Sequence, residues 1–420
     1  MEPDRRLDAE TDTLDVSNTP NTDNEKQVST YSPPQIPDGG GTAWATVAGA
    51  WLILFCSFGY VNAFGVYQDY YTRIYMTNKT SSEIAWIGST QLCLQFLMLF
   101  DEGYFHTTVG VGSLLYAFCL FMLSLAKEGQ YYQVFLPQAI GLGIALGLLF
   151  LPSIGVISHH FARRRSLTMG IVVSGSSCGG IIFPIMLNKV FERHGFGWGV
   201  RSTAFVVLAC LIAANLLMRT RLPPKSKRPP TPPPDFKAIM TDFSYLAAIA
   251  GAFLVMMGLF LPIFYIQLFA VVHGIDETLA FYSLAILNAA SIFGRTIPNF
   301  IADQSSGALI FAMFGIKSTG ALIVFSILYG FFSGAYVSLI SPMIISLANG
   351  FHEIGIRLGL AFAIVGFAAL TGTPIAGALL TRELIWWRPI VFSAIVVLGG
   401  SMMLCVARGI QAKRKGTALV

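Results

Sequence analysis

The sequence predicts an all-α membrane protein of about twelve transmembrane helices in two six-helix bundles. Three observations carry that expectation: a shortage of charge, long apolar runs set out as six, a linker and six more, and basic residues gathered in one set of loops. Of the 420 residues, 54% are hydrophobic and 12% are charged, with a mean hydropathy of +0.65. Soluble domains carry about 25% charged residues, so roughly half the usual solvating surface is missing. The charges that remain sit in the first forty residues, in short connections and in the last dozen. The runs between them reach the ~18 residues needed to cross about 30 Å of hydrocarbon.

Residues 1–40, rich in Asp, Glu, Thr, Asn and Pro, read as a disordered tail without the apolar core of a signal peptide. Apolar segments follow near 43–66, 84–100, 108–126, 133–157, 167–187 and 202–218, giving a first bundle over 41–218. The stretch RTRLPPKSKRPPTPPPDFK is basic and Pro-rich and cannot build a helix or a core, so 219–240 is a linker. Segments near 243–270, 279–301, 306–316, 320–346, 357–380 and 389–407 make the second bundle, 241–408, before a basic tail over 409–420.

Sidedness follows from the short loops. Arg163, Arg164 and Arg165 follow the fourth segment, six bases follow the sixth, and Arg408, Lys413, Arg414 and Lys415 follow the last. All fall on one side if every segment spans, so that side is expected to be cytoplasmic, with both termini inside. The sequon Asn78-Lys79-Thr80 then lies outside, where a glycan can be added. The cluster Tyr67, Tyr70, Tyr71 and Tyr75 reads as an aromatic belt at the interface.

Two segments are short. Ile84–Phe100 has 17 residues and Ser306–Ile316 has 11, which covers only about 16 Å at 1.5 Å per residue. Thinning the bilayer hardly absorbs the shortfall of the ninth, so either that segment is a partial helix propped by its neighbours or, as favoured here, residues are missing beside the second and ninth helices.

Enzyme motifs do not hold up. Gly175-Ser176-Ser177-Cys178-Gly179 matches G-x-S-x-G, but it lies in an apolar helix with no acid near, where small residues pack helix on helix. Gly141, Gly143 and Gly147 follow no soluble strand and so are no dinucleotide fingerprint. The six cysteines lie in apolar runs without ligand spacing, so neither metal nor cofactor is expected. A net charge of +5, explained by sidedness, gives no reason for nucleic acid.

Ionisable groups inside the hydrocarbon carry most information, because burying them is costly. Asp69, Glu83, Asp242 and Arg357 stand near segment ends, whereas Arg295 lies well inside the eighth. Ser291 and Asn288 share its helical face, which reads as the lining of a cavity or as a structural arginine bonded to helix carbonyls. No Asp, Glu or His stands mid-span, which favours facilitated diffusion over a proton relay. In the first segment, Asn62 between Gly59 and Gly65 offers a neutral hydrogen bond to a ligand or to a packed neighbour.

Asp38-Gly39-Gly40 followed by Ala43-Trp44, and His160-Phe161-Ala162-Arg163-Arg164-Arg165-Ser166-Leu167-Thr168-Met169-Gly170 continuing to Ser174-Gly175, resemble the signatures of monocarboxylate transporters. These are a branch of the major facilitator superfamily, and the loops look most like its fungal members. The resemblance covers residues 36–407. It implies a major facilitator fold and a secondary transporter that moves a small organic solute by alternating access. Gly294-Arg295 with Ala302-Asp303 resembles the loop motif of the second half, while only Asp101-Glu102-Gly103 is left in the first. In proton-coupled members a lysine and an aspartate stand where this chain has Asn62 and Ser291, which puts lactate-type proton symport in doubt.

The resemblance also implies a cavity lined by helices one, four, seven and ten. Arg295 is then the first candidate for an anionic substrate group, with Asn62, Ser291, Asn288, Gln267 and Tyr336 as further binding candidates. Arg163, Arg164, Arg165, Asp101 and Asp303 would serve gating or topology. The solute is expected to be a monocarboxylate or another anionic, amphipathic metabolite, with riboflavin-like solutes among the options, carried by a monomer in the plasma membrane rather than the vacuolar one. The alternative is a receptor-like or truncated product that no longer transports.

Overall fold

A computed structural model describes residues 38–97, 104–161, 164–220, 236–296, 302–348, 351–381 and 383–416. Arg163 and Asp101 lie outside these residues. Among them there is no β-strand. The helices are α1 Gly41–Tyr75, α2 Ser81–Leu97, α3 Phe105–Leu123 and α4 Tyr131–Gly155. A continuous helical stretch, Arg165–Leu217, departs from helical geometry at Gly195, whose φ of 75° divides it into α5 (165–194) and α6 (196–217). After a short turn of helix at Phe236–Thr241 come α7 Phe243–Val272, α8 Glu277–Thr296, α9 Ala302–Ala312, α10 Thr319–Ser346, α11 Phe351–Leu380 and α12 Trp387–Lys415.

Nine of the described helical stretches are long and apolar enough to cross a membrane, with α5 and α6 taken together. The two that fall short are α2, with 17 residues, and α9, with 11. The outer faces carry exposed Leu114, Phe118, Leu216 and Met402, as lipid contact requires.

Lipid gives no hydrophobic drive for helices to associate, so close backbone contact must supply it. Gly175 and Gly179 of the GSSCG run meet α1: a Cβ at Gly175 would lie 2.5 Å from the Trp51 carbonyl oxygen, and one at Gly59 2.6 Å from the Gly179 Cα. The run is therefore a helix-packing motif. α7 packs on α12, and α8 on α10. The two halves meet chiefly along α2–α11 and α5–α8, with a third contact between the later part of α1 and α7.

α1 extends further than its apolar run suggests. It deviates at Ser57 (φ −79°, ψ −84°) and turns at Ala63, yet remains helical to Tyr75, so Asp69 lies within it and is buried. The tyrosines are no interfacial belt, and the expectation is corrected here. Tyr67, Tyr71 and Tyr75 are buried, and Tyr75 stacks on Phe196 at 4.4 Å. The cause is the face of α1 on which they stand, which packs on Phe191 of α5 and Phe196 of α6.

At the end carrying the basic loops, Arg357 is fully buried. Its Nη1 donates to Asp242 at 2.9 Å and its Nε to Glu353 at 3.0 Å, while Arg414 donates to the other Asp242 oxygen at 2.8 Å. Burial pushes the Asp242 carboxyl upward, but the two guanidinium groups outweigh it and hold the group below its ordinary value.

Candidate functional site

α8 sets one polar stripe against α5 and α1, because residues at intervals of three and four share a helix face. Asn62 Nδ2 donates to Asn288 Oδ1 at 3.1 Å, and Asn288 Nδ2 donates to the Leu284 carbonyl at 2.9 Å. A turn further on, Ser291 shares a 2.8 Å hydrogen bond with Ser177 of α5. Arg295 ends the stripe: its Nη1 donates to the Val173 carbonyl at 3.2 Å and to the Ser176 hydroxyl, while its buried Nε has no hydrogen-bond partner. Among the described residues the guanidinium has no carboxylate within ion-pair distance. Both readings of Arg295 therefore meet in one residue, which ties α8 to α5 and also faces open space.

That space has two parts. A cavity of about 20 Å³, large enough for one water, is bounded by Asn62, Asn288, Ser291 and Arg295. Next to it lies a cavity of about 690 Å³. Its walls come from the basic-loop ends of α4, α5, α8 and α10 together with α1, α2, α7 and α11, and they are mostly apolar. Phe58, Phe96, Phe150 and Phe362 form an aromatic wall, with Phe96 stacked on Phe362 across the two halves at 5.4 Å. Arg295 is the one charged residue of the described lining, and no Asp, Glu or His is part of it. Tyr336 lines the same cavity, its hydroxyl donating to the Ala252 carbonyl at 3.2 Å.

Gln267 is placed elsewhere, past the closed end. Asp69 accepts two hydrogen bonds from Arg73, both 2.6 Å, and a third from Gln267 Nε2 at 3.1 Å; Gln267 also pairs with Asn188 of α5. Gly65 packs against the Ile263 backbone of α7 at the same level. These contacts and the buried tyrosines shut the end of the seam away from the basic loops. Removing one hydrogen bond to a charged group costs about 1.5–3 kcal/mol, or roughly tenfold or more in a two-state equilibrium. Gln267→Ala is expected to raise labelling of a cysteine at Val66, buried here, by an impermeant maleimide about tenfold. The background would have its six native cysteines replaced by alanine.

Arg164 is exposed just before α5, and Arg165 begins that helix. Asp303 falls in the first turn of α9. Asn78 is exposed in the turn between α1 and α2, at the end opposite the basic loops. Sequence reasoning took Ser176 only as a packing residue and passed over the phenylalanine wall and the Asp69–Gln267 pairing. The phenylalanines look like any lipid-facing ring in the sequence, and the pairing joins residues 198 positions apart.

The profile of the Major Facilitator Superfamily matches residues 50–316. The chain belongs to that superfamily. Relatives agree along nearly the whole length: it is 38% identical to MFS-type transporter 1 of Ophiocordyceps sp. (strain BCC 1869), covering 91% of this chain and 88% of the relative. It is also 38% identical to the Agnestins efflux protein AgnL12 of Paecilomyces divaricatus, covering 86% of each. With the Aspyridones efflux protein apdF of Emericella nidulans it shares 37% identity, over 91% of this chain and 81% of the relative. The 401 aligned positions of the first exceed 91% of 420 residues, so that relative has residues inside the aligned span that this chain lacks. The protein is thus a multi-pass transporter of the superfamily, not an enzyme.

Proposed function

We propose that the chain carries a bulky organic acid, apolar over most of its surface, from the cytoplasm outward by alternating access. The observation that carries this reading is the apolar cavity of about 690 Å³ that ends on Arg295. Its volume falls in the range of sites for drug-sized ligands, about 300–1,000 Å³. A site built for a small polar monocarboxylate has no need of so much apolar wall. If the basic loops face the cytoplasm, the cavity is open inward and shut outward, ready to load an intracellular solute. The efflux proteins named above support that direction.

On this reading the substrate's acidic group sits against Arg295, and Asn62, Asn288 and Ser291 order the water or polar atom beside it. Release needs the Asp69–Gln267 contact to part while the halves close over the phenylalanine wall. With no titratable acid or histidine in the described lining, facilitated diffusion is the simpler coupling. The cavity is complete within one chain, which fits a monomer at the plasma membrane.

The test is flux of radiolabelled 2-naphthoate into inside-out vesicles from a yeast deleted for its own related carriers. Saturable 2-naphthoate entry that lactate does not inhibit, and that persists without a proton gradient, is expected. Preference for lactate would restore the small-monocarboxylate assignment, and loss of flux without the gradient would replace facilitated diffusion by proton coupling.

A further inference from the structure

Gln91 and Gln95 stand one turn apart on α2, both buried, and neither has its amide satisfied. Nε2 of Gln91 and both Nε2 and Oε1 of Gln95 have no hydrogen-bond partner among the described residues, and neither does the hydroxyl of Ser57 on α1. Ser57 is fully buried too. An unsatisfied buried amide is costly, so four such atoms in one part of a bundle need a reason.

They do lie in one part. The rings of Phe58 and Phe96 are 5.7 Å apart, so Ser57 and Gln95, each one residue earlier, stand at the same level. Two turns along, a Cβ at Gly88 would meet the Phe64 ring, which keeps α1 and α2 in that register. α11 takes the other side of α2, through Ser89, Cys93 and Phe96, so Gln91 and Gln95 face α1 and α4. On α4, a Cβ at Gly143 would lie 3.1 Å from the Gln91 Cα. Gly143 therefore lets α4 approach the backbone of α2 at Gln91. Phe58, Phe96 and Phe150 separate this seam from the large cavity, and Phe58 directly follows the irregularity of α1 at Ser57.

We propose that Ser57, Gln91 and Gln95 form a neutral hydrogen-bonding subsite behind the phenylalanine wall, which takes a hydroxyl or carbonyl oxygen at the end of the substrate remote from its acidic group. The two amide nitrogens can donate to one oxygen, and Gln95 Oε1 or Ser57 Oγ can accept from a hydroxyl. The inference rests on the cavity being the transport site, with the acid on Arg295.

The test compares 2-naphthoate with 6-hydroxy-2-naphthoate in the vesicle assay, using the full chain, Gln95→Leu and Gln95→Met. The unaltered chain should favour the hydroxylated acid about tenfold at limiting concentration, and both variants should lose that preference while still carrying 2-naphthoate. Both variants should also melt at a higher temperature, since an apolar side chain replaces an unsatisfied amide. Equal carriage of the two acids by the unaltered chain, or an intact preference in a folded variant, would overturn the subsite alone. A lower melting temperature in both variants would mark Gln95 as a structural group and overturn it as well. Carriage of neither acid by the unaltered chain would remove the transport-site reading on which the subsite depends.

Discussion

Arg295→Ala is expected to lower 2-naphthoate flux about a hundredfold at limiting concentration while the protein still reaches the membrane. The guanidinium lies at the end of the large cavity with Nε unpartnered and, among the described residues, no carboxylate within ion-pair distance. A substrate carboxylate would supply the opposite charge that the described lining lacks. Losing one partner of a buried, hydrogen-bonded charge pair costs about 2–5 kcal/mol, and 1.4 kcal/mol is a factor of ten. Arg295→Lys keeps the charge but cannot hold both the α5 contacts and an incoming acid with one planar fork, so it should fall between. Flux normalised to protein in the vesicle membrane reads this directly. Unchanged flux in Arg295→Ala would leave the residue as a strut between α8 and α5 only.

The second large effect concerns folding. Gly179→Leu is expected to abolish recovery of monodisperse protein, read by size exclusion of a fluorescent fusion in detergent. At Gly179 a Cβ would already lie 2.8 Å from the Gly59 Cα, and it would also meet the Phe55 carbonyl. Leucine adds three further carbons, and backbone atoms cannot turn aside as a flexible side chain can. Overpacking costs about 1–3 kcal/mol where neighbours yield, and more where they do not. Total stabilities are only about 5–15 kcal/mol. Gly179→Ala should show a milder loss, since it adds the Cβ and nothing beyond.

Hydropathy made the helices of this fold legible, because crossing hydrocarbon demands length and neutrality in the sequence itself. The α8 stripe was legible for a similar reason: Asn288, Ser291 and Arg295 share a face by spacing alone. The short α2 and α9 were visible as short runs, and the structure keeps them at 17 and 11 residues. What spacing cannot express is which helix each face meets. Asp69 looked like an end group because the apolar run stops before it. Only the continuation of α1 through Tyr75 and the approach of α7 put it in a buried contact with Gln267. The phenylalanine wall of the cavity was hidden, since Phe58, Phe96, Phe150 and Phe362 come from four different helices.

The close helix contacts separate what must stay fixed from what is free to vary. The frame depends on glycines whose missing side chains admit a neighbour's backbone: Gly59 with Gly179, and Gly334 beside Ser291. The cavity depends instead on the large side chains of other positions, such as Phe96, Phe150, Met256 and Ile340, which line its wall. A lineage can therefore exchange one set while keeping the other. Drift at the lining would retune which molecule is accepted within a few substitutions, with no redesign of the scaffold. Under the proposed export role, such a gene is suited to recruitment whenever a new compound has to leave the cell.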